Sequence, residues 1–144
     1  MNAVLPLVLG ALMALAAPLG AAETDLIRPA GEATLEEFRW HARPIVVFAD
    51  TPEDPRFDQQ IARLREGLDA LAERDVVILT DTDPAARAPL RLKLRPRGFM
   101  LVLIAKDGTV ALRKPAPWTV RELSRSIDKM PLRQREIIER RSTP

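Results

Sequence analysis

The sequence predicts an α/β domain: a mixed central sheet, a βαβ half followed by a ββα half, with helices on both faces. Three observations carry this. Residues 45–49 (Ile-Val-Val-Phe-Ala) and 76–80 (Val-Val-Ile-Leu-Thr) are short apolar runs without polar alternation, as strands covered on both faces require. Between them Phe57, Ile61, Leu64, Leu68 and Leu71 recur at steps of three and four, one stripe of an amphipathic helix. A third run, residues 99–105, is followed by the turn signal Lys106-Asp107-Gly108 and a return strand, and a last capped helix closes the order.

Taken from the start, residues 1–22 carry no charged side chain and run apolar to Leu19. Gly20 and Ala22 then form the small-x-small pattern of a signal peptidase site, although no Lys or Arg precedes the apolar run. About 20 apolar residues can also span a bilayer, so a retained anchor is the alternative. Pro6, Pro18 and the small-residue exit favour a cleaved signal peptide and a periplasmic or secreted protein. Contact with a membrane is expected only if this segment is kept. Residues 23–33, with Pro29 and Gly31, read as an irregular arm, residues 34–130 as the domain, and residues 131–144 as a basic helix and tail.

Thr34-Leu35-Glu36-Glu37 has the form of a capping box and opens a short helix through Phe38 and Trp40. That helix must end before Pro44, since proline disfavours helical geometry at Arg43. Asp54-Pro55 starts the next helix, aspartate as N-cap and proline at the first helical position, and the stripe continues to near Arg74. Strand, helix and strand with short joins imply a right-handed parallel βαβ unit. In residues 81–98, Asp83-Pro84 predicts a short helix that Pro89 confines or kinks, while the alternation of Leu90, Leu92 and Leu94 with basic residues would also suit an extended edge. Residues 109–113 return antiparallel and stop at Pro115 and Pro117. Thr119-Val120-Arg121-Glu122 is a second capping box, with Trp118 and Leu123 placed as a hydrophobic staple. Pro131 breaks this helix, and the segment to Arg141 is expected to be an exposed basic helix. This element order is the thioredoxin-like arrangement.

Trp40 with Arg43-Pro44, the hairpin around Lys106-Asp107-Gly108, and Ile127-Asp128-Lys129-Met130-Pro131-Leu132-Arg133 resemble the DUF4174 family. The resemblance covers about residues 34–138. It implies a thioredoxin-like fold, related to domains of secreted animal matrix and sushi-repeat proteins. It therefore implies extracytoplasmic placement and a binding role, and names no catalytic residue.

The chemistry of the redox members of that fold is missing. The chain has no cysteine, so neither disulfide exchange nor thiol attack on a peroxide is open to it. Thr51-Pro52-Glu53-Asp54 stands where thioredoxins carry Cys-x-x-Cys and peroxiredoxins Thr-x-x-Cys, and Phe99-Met100 where thioredoxins keep a cis-proline. With 22 Lys and Arg against 20 Asp and Glu, the net charge of +2 does not point to nucleic acid.

Four candidate sites remain. Asp50, Glu53 and Asp54 follow the first core strand, and Asp81 and Asp83 the second; adjacent parallel strands would bring them to the edge where open α/β sheets bind ligands. Such carboxylates could hold Ca²⁺ or Mg²⁺, though capping already accounts for Asp54 and Asp83. Arg87, Arg91, Lys93, Arg95 and Arg97 could hold an anion, a phosphate or an acidic polymer, or could simply be a solvated loop. Arg133, Arg135, Arg140 and Arg141 could touch anionic headgroups, but their helix has few large apolar residues to insert. His41 is the one histidine, without a second ligand to share a metal, and packing against the sheet is its expected role. The expected function is therefore a non-catalytic, cofactor-free domain binding a cell-envelope protein or anionic polymer. The alternative is a non-thiol enzyme or divalent-metal-binding domain using the acidic edge.

Overall fold

The computed structural model describes residues 26–144. The expected signal peptide or anchor, residues 1–22, and the first part of the arm lie outside the described residues. Within them, β1 (Ile27–Pro29), β2 (Arg43–Phe48), β3 (Val76–Asp81), β4 (Met100–Ile104) and β5 (Val110–Lys114) form one sheet in the order β1-β3-β2-β4-β5. β2 runs parallel to β3 with Ile45 opposite Ile78, and antiparallel to β4 with Ile45 opposite Leu103. The helices are α1 (Pro55–Arg65), α2 (Leu68–Glu73), α3 (Pro89–Leu94), α4 (Val120–Asp128) and α5 (Pro131–Ser142). The expected βαβ and ββα halves are both present.

β2 is buried along its whole length, which is why its sequence shows no alternation. Its side chains nonetheless divide between two cores. Ile45 and Val47 pack with Ile61, Leu64 and Leu71 of the α1–α2 layer and Leu123 and Ile127 of α4. Val46 and Phe48 pack on the other face with Leu90 and Leu94 of α3 and with Leu35 and Phe38. A sheet covered on both faces follows.

Several expectations need correction. The arm is not irregular where described: Ile27–Pro29 pairs parallel with Ile78, Leu79 and Thr80 as an edge strand. The Thr34 capping box does not form, and Leu35–Glu37 is a single 3₁₀ turn without a side-chain cap. Pro44 holds Arg43 in extended backbone, leaving too few positions before it to propagate an α-helix. The single helix expected to reach Arg74 is two, broken at Gly67. A β-carbon there would lie 2.6 Å from Val120 Cγ1, so the chain has glycine where α4 crosses close to the break. Residues 81–98 hold a 3₁₀ turn, Pro84–Ala86, and then α3 with Pro89 in its first turn; the extended alternative is not adopted, and Asp83 makes no side-chain cap.

Other signals hold. Asp54 caps α1 by accepting from the Arg56 amide at 2.9 Å. Thr119 and Glu122 form the reciprocal capping box of α4. Gly108, at φ +88, makes the β4–β5 turn possible. Among the described residues no helix is long and apolar enough to cross a membrane.

Candidate functional site

The carboxyl ends of β2 and β3 do meet, but they meet around an arginine. Arg91 Nε donates to Asp81 Oδ2 at 2.9 Å, and its Nη2 donates to Asp81 Oδ1 at 3.2 Å, to the Asp81 carbonyl at 3.1 Å and to the Ala49 carbonyl at 2.9 Å. Its guanidinium also lies 5.3 Å from the centre of the Phe48 ring. Two separate sequence candidates, one acidic and one basic, thus neutralise each other in one largely buried pair. Asp50 sits 3.9 Å from Arg91, at the exposed rim. Asp54 is taken by Arg56, whose Nε and Nη2 donate at 3.1 and 2.9 Å. The Arg56 side chain and amide hold the Asp54 carboxyl below its ordinary range. Glu53 and Asp83 are exposed. Among the described residues no three carboxylates or histidines are grouped as metal ligands, so these five acids do not assemble a cation site.

The basic run does not assemble into one site either. Arg91 turns inward to Asp81, whereas Lys93 lines a shallow hollow with Leu35, Glu36 and Arg39. Arg87, Arg95 and Arg97 are exposed. His41 is exposed rather than packed on the sheet.

At the opposite end of the sheet the structure gathers residues that sequence spacing could not connect. Arg43, the first residue of β2, is fully buried. Its Nη1 donates to the Arg74 carbonyl at 2.9 Å, and its two terminal nitrogens donate to Glu136 Oε2 and Oε1 at 3.3 and 3.1 Å. Lys106, at the exit of β4, places Nζ 2.7 Å from both Asp75 Oδ2 and Glu136 Oε1. Arg133 donates to Asp128 at 3.3 Å and lies 3.6 Å from Glu136. Arg74 grips Asp128 with two bonds of 3.0 and 2.8 Å. Arg43, Arg74, Lys106 and Arg133 are thus balanced by Asp75, Asp128, Glu136 and the more exposed Glu73. Burial works to raise the Glu136 carboxyl, but the bonds and charges of Lys106 and Arg43 outweigh it and leave it lowered. Bonding from Arg74, aided by Arg133, likewise lowers Asp128 against its own burial. α5 is therefore not simply an exposed basic helix: Arg133 is buried, and Glu136 closes the network.

Arg43 and Lys106 of this network line a groove of about 400 Å³. Trp40, Ala105, Met130, Pro131 and Leu132 supply its apolar walls, and Arg43, Lys106, Asp107 and Arg135 its polar ones. The Trp40 amide donates to the Lys106 carbonyl at 2.7 Å, which fixes its backbone at φ 66 and leaves the residue 62% exposed. Asp107 is occupied by its own turn, accepting from the Thr109 amide at 3.0 Å and hydroxyl at 2.7 Å, bonds that lower its carboxyl. Arg43 Nε is buried and has no acceptor among the described residues. Trp40, Arg43, Lys106, Asp107, Met130 and Pro131 share the groove, Asp128 and Arg133 stand in the network behind it, and Gly108 turns the hairpin beside it. The motif residues that carried the family resemblance therefore converge, and they do so away from the edge where the fold keeps its thiols. Glu136 and Asp75 were not singled out from the sequence. The available hint was Arg133 three residues before Glu136, a spacing that puts both on one helix face.

The fold has solved counterparts. The reduced 2-Cys peroxiredoxin of Plasmodium vivax is 16% identical, with a TM-score of 0.55 over 73% of this chain and 85% of that one. Plasmodium yoelii Prx1a is 20% identical, with a TM-score of 0.54 over 74% and 82%. The reduced desulfothioredoxin of Desulfovibrio vulgaris Hildenborough is 25% identical, with a TM-score of 0.53 over 73% and 97%. These likenesses show a thioredoxin-like fold. A search of curated protein sequences finds no match. Residues 34–136 match the domain of unknown function DUF4174, which takes in the Trp40, Lys106 and Asp128–Arg133 motifs, and the chain belongs to that family.

Proposed function

We propose that the chain is an exported, non-catalytic thioredoxin-like domain that binds a cell-envelope protein through the groove between Trp40 and Met130. One observation carries this reading. A tryptophan held in a left-handed backbone conformation by the Lys106 carbonyl stays 62% exposed beside Met130, Pro131 and Leu132. A large aromatic fixed at the mouth of an apolar groove is the kind of anchor that dominates binding energy at interfaces. The acids and cations behind it neutralise one another, so the groove floor is rigid rather than reactive. Where the fold would use thiols, this chain has the exposed turn Thr51-Pro52-Glu53 and Asp54, the cap of α1. Export is supported by the uncharged apolar residues 1–22 and the small residues that end them.

The test is site-specific photo-crosslinking in a cell expressing the full chain. A benzoylphenylalanine replacing Trp40 should yield a discrete adduct in the envelope fraction, while the same probe at Glu53 should not. Adducts at Glu53 alone would move the binding surface to the other end of the sheet. Recovery of the chain in the cytoplasm with residues 1–22 intact would remove the export half of the reading.

A further inference from the structure

We propose that the groove takes an acidic peptide segment in extended conformation, which adds to the free edge of β5 as a sixth strand. This rests on the reading above that the Trp40 end binds a partner, and it specifies that partner's chemistry.

β5 is the outermost strand beside β4, and its residues are exposed or half-buried. One row of its backbone donors and acceptors is paired with β4 and the other faces outward. Beside it a second hollow of about 410 Å³ is lined by Leu112, Trp118 and Ser126, and shares Ala111 and Met130 with the Trp40 groove. The two hollows form one track along β5, from Trp40 at one end to Trp118 at the other. Five residues of strand span about 17 Å, enough to template a short peptide. Recognition by strand addition draws affinity from the backbone and selectivity from alternate side chains, and the two tryptophans offer apolar seats at the two ends.

Charge selects the partner. Lys114, Lys129 and Arg135 line the track, and none of them is in an ion pair among the described residues. Lys114 Nζ lies 4.6 Å from the centre of the Trp118 ring. Among the described residues the one carboxylate lining either hollow is Asp107, already bonded within its own turn. A neutral or basic strand would leave these cations uncompensated or repelled, and an acidic one would pair with them. The same reasoning disfavours a second copy of β5, which brings Arg113 and Lys114 and no acid.

The probe is a fluorescent ten-residue peptide of alternating valine and glutamate, titrated against the full chain. It should bind saturably. Methylating alternate backbone nitrogens on one side should weaken it by about tenfold or more, since the edge bonds are lost while the charge is kept. The lysine counterpart should not bind. Trp40→Ala and Lys129→Glu should each weaken the acidic peptide by about tenfold, and Leu92→Ala, an exposed residue of α3, should not. Equal binding of methylated and unmethylated peptides, heparin displacing the peptide at equal charge concentration without any effect of methylation, or self-association through β5 would each overturn the proposal. A cross-link at position 40 without peptide binding would leave the groove reading standing and remove only the extended acidic peptide. Loss of both would remove both.

Discussion

Arg43 and Glu136 lie 93 residues apart in sequence and meet through two hydrogen bonds, Arg43 Nη2 to Oε1 at 3.1 Å and Nη1 to Oε2 at 3.3 Å. The pair ties the first residue of the central strand to the last helix. It also fixes the wall of the Trp40 groove, because Met130 caps that helix and Pro131 and Leu132 form its first turn. Arg43 is fully buried, so its charge depends on Glu136 for compensation. Glu136→Gln should cost about 3 kcal/mol, because it leaves the buried Arg43 without its counter-charge, and Arg43→Met less, because Lys106 still pairs with Glu136. The double variant should be at least about 1 kcal/mol more stable than the sum of the two losses. Urea unfolding of the four proteins checks this, and simple additivity would show that the pair is not coupled.

The same carboxylates make stability depend on acid. Glu136 and Asp128 have folded values lowered from 4.5 and 3.8, their ordinary values. A carboxyl lowered on folding contributes stability that is fully present above its unfolded value and disappears as pH falls through the folded one. The urea midpoint should therefore be flat from neutrality to about pH 5 and fall steadily below it. The Asp128→Asn/Glu136→Gln variant should start lower and show a shallower acid decline. An unchanged slope would assign the decline to other groups.

Thr119 offers a local contrast. Its hydroxyl accepts from the Glu122 amide at 3.2 Å, and the Glu122 carboxylate accepts from the Thr119 amide at 2.8 Å. Those bonds orient α4, which carries Leu123 and Ile127 into the core. Thr119→Ala should cost about 1 kcal/mol and Thr119→Ser only a few tenths, read from thermal or urea midpoints. A serine as damaging as alanine would mean that the methyl group rather than the hydroxyl matters.

How far the sequence reached can be argued from the same elements. Runs such as residues 45–49 and the Thr119 box encode their structure locally, through burial on both faces and through capping, and both were legible. The strand in the arm is not legible in the sequence because Ile27–Pro29 becomes a strand only by pairing with β3, a partner about fifty residues away. The acidic and basic candidates were seen as two sites because spacing does not reveal that Arg91 turns back onto Asp81. The burial of Arg43 is not legible locally, since nothing near it in sequence announces Glu136 or Asp75. The family-motif residues Trp40, Lys106 and Met130, far apart in sequence, share one groove.

Gly67 shows the same dependence on distant chain. Its φ is −139, a value open to any residue, so local conformation does not require glycine there. The requirement comes from Val120, whose Cγ1, Cβ and Cγ2 would stand 2.6, 2.9 and 2.9 Å from an added β-carbon. Gly67→Ala should therefore destabilise by about 1–3 kcal/mol, the clash adding to the poorer fit of alanine at the N-cap of α2. Because the obstruction includes Val120 Cβ, Val120→Ala should relieve it only in part. The double variant Gly67→Ala/Val120→Ala should recover some of the loss caused by Gly67→Ala, although Val120→Ala alone removes packing from the core. Equilibrium unfolding of the three variants separates these effects. If Gly67→Ala proved neutral or stabilising, the close crossing of α4 over the α1–α2 break would not be the reason that one predicted helix became two.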